Sequence, residues 1–542
     1  MSLFRIALRS ITQRGFASAL TMLSMALGVM LVVAVLSIHG VVEQSFANNA
    51  SLGYNLAVGA KGGKEQLVLN TVFYLSSPVE NIWCSYYAEF LPRQERDRLL
   101  KDSFAFRSHE AAWQTAELAS LAGDQGLAAV ALGRSLEGVG LSLAPDARRG
   151  PTDGPAVELR RDGKYGLMTE MAIPLCLGDY YGRFRVVGTT PALFDDLVYD
   201  IENNRKFVFA QGRNFVHRSP EHGYFEAVVG AKVAREMEVK LGDQISPRHG
   251  DPEGHTHERK FTVVGILKTS GTPNDRAVFV NMEGFYLMED HAKPIDEAQP
   301  GDETETGKAK TDEELQAERA AKIKKQFEVL RAADPEPLPV EQREVTAILI
   351  KTDFRIAQGL ENAINEGRDA QAVLPIKVIY ELFEFIIKPI RWTLLFLTSM
   401  ICIVSGISIL VSIYNSMSER RHEIAVMRAL GADRTTVGGI ILLESTLLSL
   451  GGGALGWFAG HALCLIASPI IEDRTGVTIG FWSFDPSIDL VSLLGSSGGL
   501  FESLPVPLEL VLVPALLVLA IAVGFWPAVS AYRTDVAKSL GK

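Results

Sequence analysis

The sequence predicts a membrane α-helical protein: four transmembrane helices, with a large α+β extracytoplasmic domain inserted between helices 1 and 2. Three observations carry this. Residues 15 to 42 contain no Asp, Glu, Lys or Arg, and an apolar run longer than the roughly 20 residues that span hydrocarbon reads as a membrane helix. Three more such stretches fall late in the chain, at about 392–413, 436–467 and 510–529. Residues 43–388, between the first stretch and the rest, alternate short β-rich and helical runs. The formal charge of −11 and the 22% of charged residues would suit many soluble proteins. The class is decided by how that charge is segregated, not by its total.

Residues 1–15 form the first element. Phe4, Leu8 and Ile11 share one helical face and Arg5, Arg9 and Gln13 another, the pattern of a cytosolic amphipathic helix lying in the headgroup layer. Transmembrane helix 1 follows at 16–42. The preceding arginines could form the basic region of a cleaved signal peptide, but the apolar run exceeds the usual 7–15 residues, so the segment is expected to stay as an anchor. Lys and Arg are retained on the cytoplasmic side. That rule places inside the N-terminal Arg5, Arg9 and Arg14, the 416–434 loop, and the tail with Arg533, Lys538 and Lys542. Lys388 and Arg391 lie on the wrong side for the rule, outweighed by four arginines beyond the other end of their helix. Both termini are therefore expected in the cytosol.

Within 43–388, the β-rich runs Leu56 to Gly59, Phe261 to Leu267, Ala277 to Val280 and Ala347 to Lys351 are bounded by turn residues and read as strands. Ala231 to Val239 reads as a short helix and Asp102 to Leu121 as another, giving an α+β domain expected to have two subdomains. Residues 290–340 hold little large apolar surface and read as a flexible charged insertion, with one solvated helix around 312–332. Cys402 and Cys464 fall in membrane helices as small apolar side chains. Cys84 and Cys176 lie where a disulfide is permitted, and the sequence leaves their pairing open.

In the 416–434 loop, Ile424, Met427 and Leu430 recur at i, i+3 and i+6, flanked by Arg420, Arg421, Glu423 and Arg428. Gly431 suits a left-handed helix terminator. A connector that only obeys the charge rule would also carry these arginines, but an apolar stripe on so short a loop needs something to pack against. The stripe is therefore read as a docking element. In the next helix Gly452, Gly456 and Gly460 open a groove for close helix approach. Packing within the subunit is the first reading, and a dimer seam the second. Glu444, costly in lipid, should face protein, water or the cytosolic interface in a structural or gating contact.

The segment Gly59 to Glu65 has the wrong glycine spacing for a phosphate loop, and Glu65 stands where Ser or Thr would hold magnesium. No HExxH, CxxC or GxSxG motif supports an enzyme. In His249-Gly250-Asp251-Pro252-Glu253-Gly254-His255-Thr256-His257, His255 and His257 alternate as on a strand. His249 with Asp251 or Glu253 could then complete a zinc or copper sphere. The commoner case is a polar loop with incidental histidines, so no metal is assigned and His249, His255 and His257 stand as candidates.

The loop Ser416 to Ala432, with its Arg-Arg-x-Glu-Ile-Ala-x-x-Arg-Ala-Leu-Gly-Ala pattern, is followed by a helix bearing Glu444 and a glycine cluster. Together they resemble the ABC transporter permeases related to MacB, FtsX and the lipoprotein-releasing transporters, the type VII or mechanotransmission superfamily. The resemblance extends along the chain. It includes the blocks Leu56 to Gly62, Leu67 to Asn70, Pro174 with Gly178 and Asp179, Val187 to Thr190, and Gly271 to Arg276. It implies a MacB-like core domain at 43–388 and an FtsX-like permease domain at 389–542. It also implies a cytosolic coupling loop (Arg420, Arg421, Glu423, Ile424, Met427, Arg428, Leu430 and Gly431) that docks on a separate ABC ATPase subunit. ATP and magnesium would belong to that ATPase, and no cofactor to this chain. Further partners implied are a second permease subunit (the same or a related chain), membrane lipid and a periplasmic adaptor, with no nucleic acid. The expected function is export or extraction of a lipoprotein, lipid, peptide or drug. The alternative is an FtsX-like scaffold that switches an extracytoplasmic hydrolase or sensor.

Overall fold

The computed structural model describes residues 3–49, 52–78, 80–107, 110, 161–201, 203–250, 252–288, 291, 335–419, 421–429, 431–475, 477–482, 487–489 and 505–532. The helix expected at 312–332, and most of that expected at 102–121, lie outside them. The chain divides into two units, Met1–Asn48 with Tyr380–Lys542, and Asn49–Ile379.

The first unit is helical. It contains α1 (Leu3–Gln13), α2 (Gly15–Asn49), α3 (Lys388–Glu419), α4 (Arg421–Ala429), α5 (Arg434–Thr475) and α6 (Leu512–Tyr532). Among the described residues four helices are long and apolar enough to cross a membrane: Gly15–Glu43, Pro375–Asn415, Arg434–Glu472 and Glu509–Ser530. Their core joins Met25, Val29 and Val33 of α2 to Ile409 and Ile413 of α3, Ile441 and Leu448 of α5, and Val523 of α6. α1 is amphipathic as read, but it seats its small residues, Ala7 and Ser10, inward, while Leu3, Phe4 and Leu8 stay exposed. An exposed apolar edge beside arginines is what an interfacial helix presents to lipid headgroups.

The second unit is built on one mixed sheet. Its strands are β1 (Leu56–Gly59), β2 (Met171–Tyr181), β3 (Phe184–Thr189), β4 (Phe209–Gly212), β5 (Glu226–Val229), β6 (Gln244–Ile245), β7 (Arg248–His249), β8 (Phe261–Leu267), β9 (Ala277–Asn281), β10 (Ala347–Lys351) and β11 (Gln371–Val373). They run in the order β11-β1-β10-β2-β3-β9-β5-β8-β4, with β7 added to β2 and β6 to β8. β9 pairs in parallel with β3, and β8 with β5, while the other pairs are antiparallel. Among the described residues Asn49–Ile379 forms one compact unit rather than the two subdomains expected. The four strands read from sequence all form, and the helix Ala231–Glu236 is shorter than expected. Central strands such as β9 (AVFVN) are buried at every position because both faces are covered, which explains why they read as continuous apolar runs.

Cys84 and Cys176 are both buried free thiols. Burial pushes the Cys84 thiol up to about 12, and the Cys176 thiol lies 3.2 Å from the Tyr286 hydroxyl. Buried neutral thiols of this kind are packing groups rather than nucleophiles. Lys61, in the segment that superficially suggests a phosphate loop, donates to the carbonyl oxygens of Asn365 and Gly367 at 3.3 and 2.5 Å. It therefore satisfies the carboxyl end of the helix Phe354–Glu366.

Candidate functional site

Both ends of α4 are fixed by short-range chemistry. At its carboxyl end Gly431 takes φ +98°, its N–H donates to the Arg428 carbonyl at 3.1 Å, and the Ala432 N–H reaches back to Met427 at 3.0 Å. This pair of bonds is a Schellman motif. Two residues on, Asp433 accepts from the Arg434 N–H at 2.7 Å and from the Thr435 hydroxyl at 2.6 Å, capping α5 and holding the Asp433 carboxyl below its usual range. α4 and α5 are consequently joined by a stiff corner.

Two of the three residues read as the docking stripe, Ile424 and Met427, pack against this chain's own core. Ile424 is buried in the same cluster as Ile413, Met417, Val437 and Ile441, and Met427 packs against it. Ala425 is fully buried, whereas Val426 is 38% exposed and Ala429 lies outward. A short amphipathic helix tied to two long helices finds its own subunit's core first, because that contact carries no association entropy. Arg421 and Glu423 lie on α4, while Arg420 and Leu430 fall outside the described residues.

The glycine stripe of α5 packs within the subunit, against α2. A methyl group at Gly452 would meet Met25 Cβ at 2.8 Å and the Met22 carbonyl oxygen at 2.9 Å. At Gly456 it would lie 2.5 Å from the Ala26 carbonyl oxygen, and at Gly460 2.8 Å from Val33 Cβ. Such approach distances let backbones touch in a setting where apolar side chains gain little from lipid exclusion. Glu444 is buried and accepts from Ser10 Oγ of α1 at 3.1 Å, so the intramembrane carboxylate makes a structural contact with the amphipathic helix.

The histidine loop is a hairpin. The His249 N–H bonds the His255 carbonyl and the His257 N–H the Pro247 carbonyl, both at 3.0 Å, while Gly250 supplies the turn at φ +68°. His249 on β7 lies directly opposite Asp179 on β2, where the ladder shifts register between Leu177 and Asp179. A bulge of this kind re-aims a side chain. Asp179 Oδ2 then lies 3.2 Å from His257 Nε2 and 3.0 Å from His291 Nε2, and Asp179 Oδ1 lies 3.3 Å from His249 Nδ1. Burial alone would raise this carboxyl, but the three imidazoles hold it well below the usual carboxylate range. His255, grouped with His257 in the sequence reading, is exposed, its ring lying 5.2 Å from that of His257 and 5.4 Å from that of His249. Glu253 is exposed, and Asp251 lies outside the described residues.

Two family models match in the chain order these units require. A MacB-like periplasmic core domain covers residues 165–326 and an FtsX-like permease C-terminal domain residues 395–535. Together the two matches support an ABC transporter permease of the MacB/FtsX family. Over 100 residues the chain is 29% identical to the macrolide export ATP-binding/permease protein MacB of Rhodopirellula baltica, covering 18% of this chain and 14% of that protein's length.

Two polar clusters in the permease escaped the sequence reading. Glu509, just before α6, is buried and accepts from Ser37 Oγ at 2.8 Å and Trp457 Nε1 at 2.9 Å, with His461 Nε2 also at 2.9 Å. Three helices thus meet at one satisfied carboxylate. His461 follows Gly460, so the glycine stripe was the available signal. Near the start of α3, Arg391 lies 3.8 Å from Glu43 and 3.3 Å from His39 Nδ1, and Lys388 pairs with Glu384. Both cations that oppose the positive-inside rule are thus held against acidic partners within the helical unit.

Proposed function

We propose that this chain is the membrane subunit of an ATP-driven export or extraction complex, in which α4 receives motion from a separate ATPase subunit on the cytosolic side. The two family-model matches support a permease role, and the name of the MacB relative joins ATP binding to a permease. One observation carries the mechanical reading: α4 is built as a lever. Its inward face, Ile424 and Ala425, is anchored in the core shared with α3 and α5, and its far end is locked to α5 by the Schellman turn and the Asp433 cap. A push on the outward face at Val426 therefore has no slack to take up before it displaces the long helices. The sheet unit, extracytoplasmic in this reading, is what those helices would move. Substrate need not cross a polar channel for such work to appear outside.

The burial of Ile424 separates docking from transmission. In detergent-solubilised complexes, the double substitution of Val426→Asp with Arg428→Glu should cut co-purification of the ATPase about tenfold or more, the scale of one or two lost interface anchors. Ile424→Ala should leave the ATPase bound, loosen α4 from its core, and uncouple ATP hydrolysis from the extracytoplasmic output. Thiol labelling of a Val426→Cys variant in intact cells tests the orientation. Labelling from the same side as a cysteine at His255 would overturn the proposal.

A further inference from the structure

We infer that Asp179, His249, His257 and His291 form a binding site for one divalent transition-metal ion of the zinc class. The four side chains come from three separate parts of the sheet unit: the bulge of β2, the β7 hairpin, and the segment after the helix Met282–Tyr286. Their candidate ligand atoms all lie within 4.8 Å of one another. A tetrahedral zinc with bonds of about 2.0–2.1 Å places its ligands about 3.3 Å apart. The separations found are 3.0 and 3.2 Å from Asp179 Oδ2 to His291 and His257, 3.3 Å from Asp179 Oδ1 to His249, and 3.3 Å between His291 Nε2 and His257 Nε2.

His257 and His291 bring their Nε2 atoms to 3.3 Å of each other on buried side chains beside the one carboxylate. A divalent ion lets all three rings converge as neutral ligands around the carboxylate. Three imidazole nitrogens and one carboxylate suit zinc and its neighbours in the first transition row. Magnesium and calcium call for oxygen ligands. The surroundings are also those of a metal site. Phe285, itself buried, packs its ring 4.4 Å from that of His291 and fixes its orientation, while His249, with 38% of its side chain exposed, leaves one side open for entry.

The test uses the full-length protein in detergent, stripped with a chelator and desalted. Titration with Zn2+ should give one tightly held equivalent per chain after gel filtration. Titration with Co2+ should give the intense visible absorption of a tetrahedral site, bleached by added Zn2+. His257→Ala and His291→Gln should each weaken Zn2+ binding by about 100-fold or more, the upper end of the loss seen even for supporting groups outside the ligand set. His255→Ala should leave affinity and spectrum unchanged. Wild-type protein that holds less than half an equivalent, or gives an octahedral cobalt spectrum, overturns the assignment without reference to any variant. So does a Zn2+ affinity that falls with His255→Ala but survives His257→Ala. A tenfold preference for Mg2+ or Ca2+ would also overturn it.

Discussion

Arg343→Ala is expected to cost the sheet unit about 3–5 kcal/mol, the penalty for removing one partner of a buried ion pair. Arg343 is fully buried and bonds in three directions: Nη1 to Glu283 Oε1 at 2.6 Å, Nη2 to Asp102 Oδ2 at 3.0 Å, and Nε to the Leu338 carbonyl at 2.7 Å. Glu283 is nearly as buried, and its Oε2 has no hydrogen bond. Alanine would leave that carboxylate with no countercharge at its oxygen. The guanidinium also lies 5.8 Å from the Tyr286 ring, and its residue's carbonyl accepts from Cys84 N–H at 3.0 Å. The loss therefore spreads from the charge pair into the packing around Cys84 and Tyr286.

The same substitution should carry a signature in pH. Burial already raises the Glu283 carboxyl, against the opposing pull of Arg343. With Arg343 gone it rises further, so the folded variant keeps a proton that the unfolded chain gives up. Stability then falls as pH climbs from the unfolded carboxyl range toward the raised folded value. Thermal unfolding of the full-length protein in detergent should show the deficit of Arg343→Ala shrinking toward acid pH. Adding Glu283→Gln should recover part of the loss at neutral pH, since a neutral amide costs far less to bury than an unpaired carboxylate. A deficit that does not change with pH would mean that the loss is one of packing alone.

What could be read in the chain depended on whether the signal was local. Phe261–Leu267 and Ala347–Lys351 are β-branched runs closed by turn residues, and both form strands at the bounds read. By contrast, β2 is the longest strand of the sheet, yet Pro174 and Gly178 interrupt it and hide it from a propensity reading. Its neighbours satisfy the backbone, and the interruption at Gly178 is what turns Asp179 toward the histidines. Asp179 and His291 are 112 residues apart, and only the strand order brings them together. The loop stripe at Ile424 and Met427 shows a different limit: periodicity establishes that a helix has an apolar face but not what covers it. Arg343, within a polar Glu-Gln-Arg-Glu run, looks like a surface residue until the fold closes over it.

At Gly456 the sequence proposed two partners, and one substitution separates them. A Cβ there would come within 2.5 Å of the Ala26 carbonyl oxygen and 2.8 Å of Val29 Cβ, and a backbone oxygen cannot move aside as a flexible side chain can. Gly456→Ala should therefore destabilise the helical unit by about 1–3 kcal/mol, the usual cost of overpacking, although alanine in an exposed helix would gain up to about 1 kcal/mol over glycine. Gly451→Ala is the control on the same helix. Its Cβ would meet nothing nearer than Met22 Sδ at 3.8 Å, so it should be neutral or slightly stabilising. Gly456→Leu should force α5 off α2 altogether and yield no monodisperse protein, as judged by gel filtration in detergent. Had the stripe been a seam between two copies, Gly456→Leu would produce a well-folded monomer that fails only to pair. With Ala26 and Val29 of the same chain filling the groove, the protomer itself should fail.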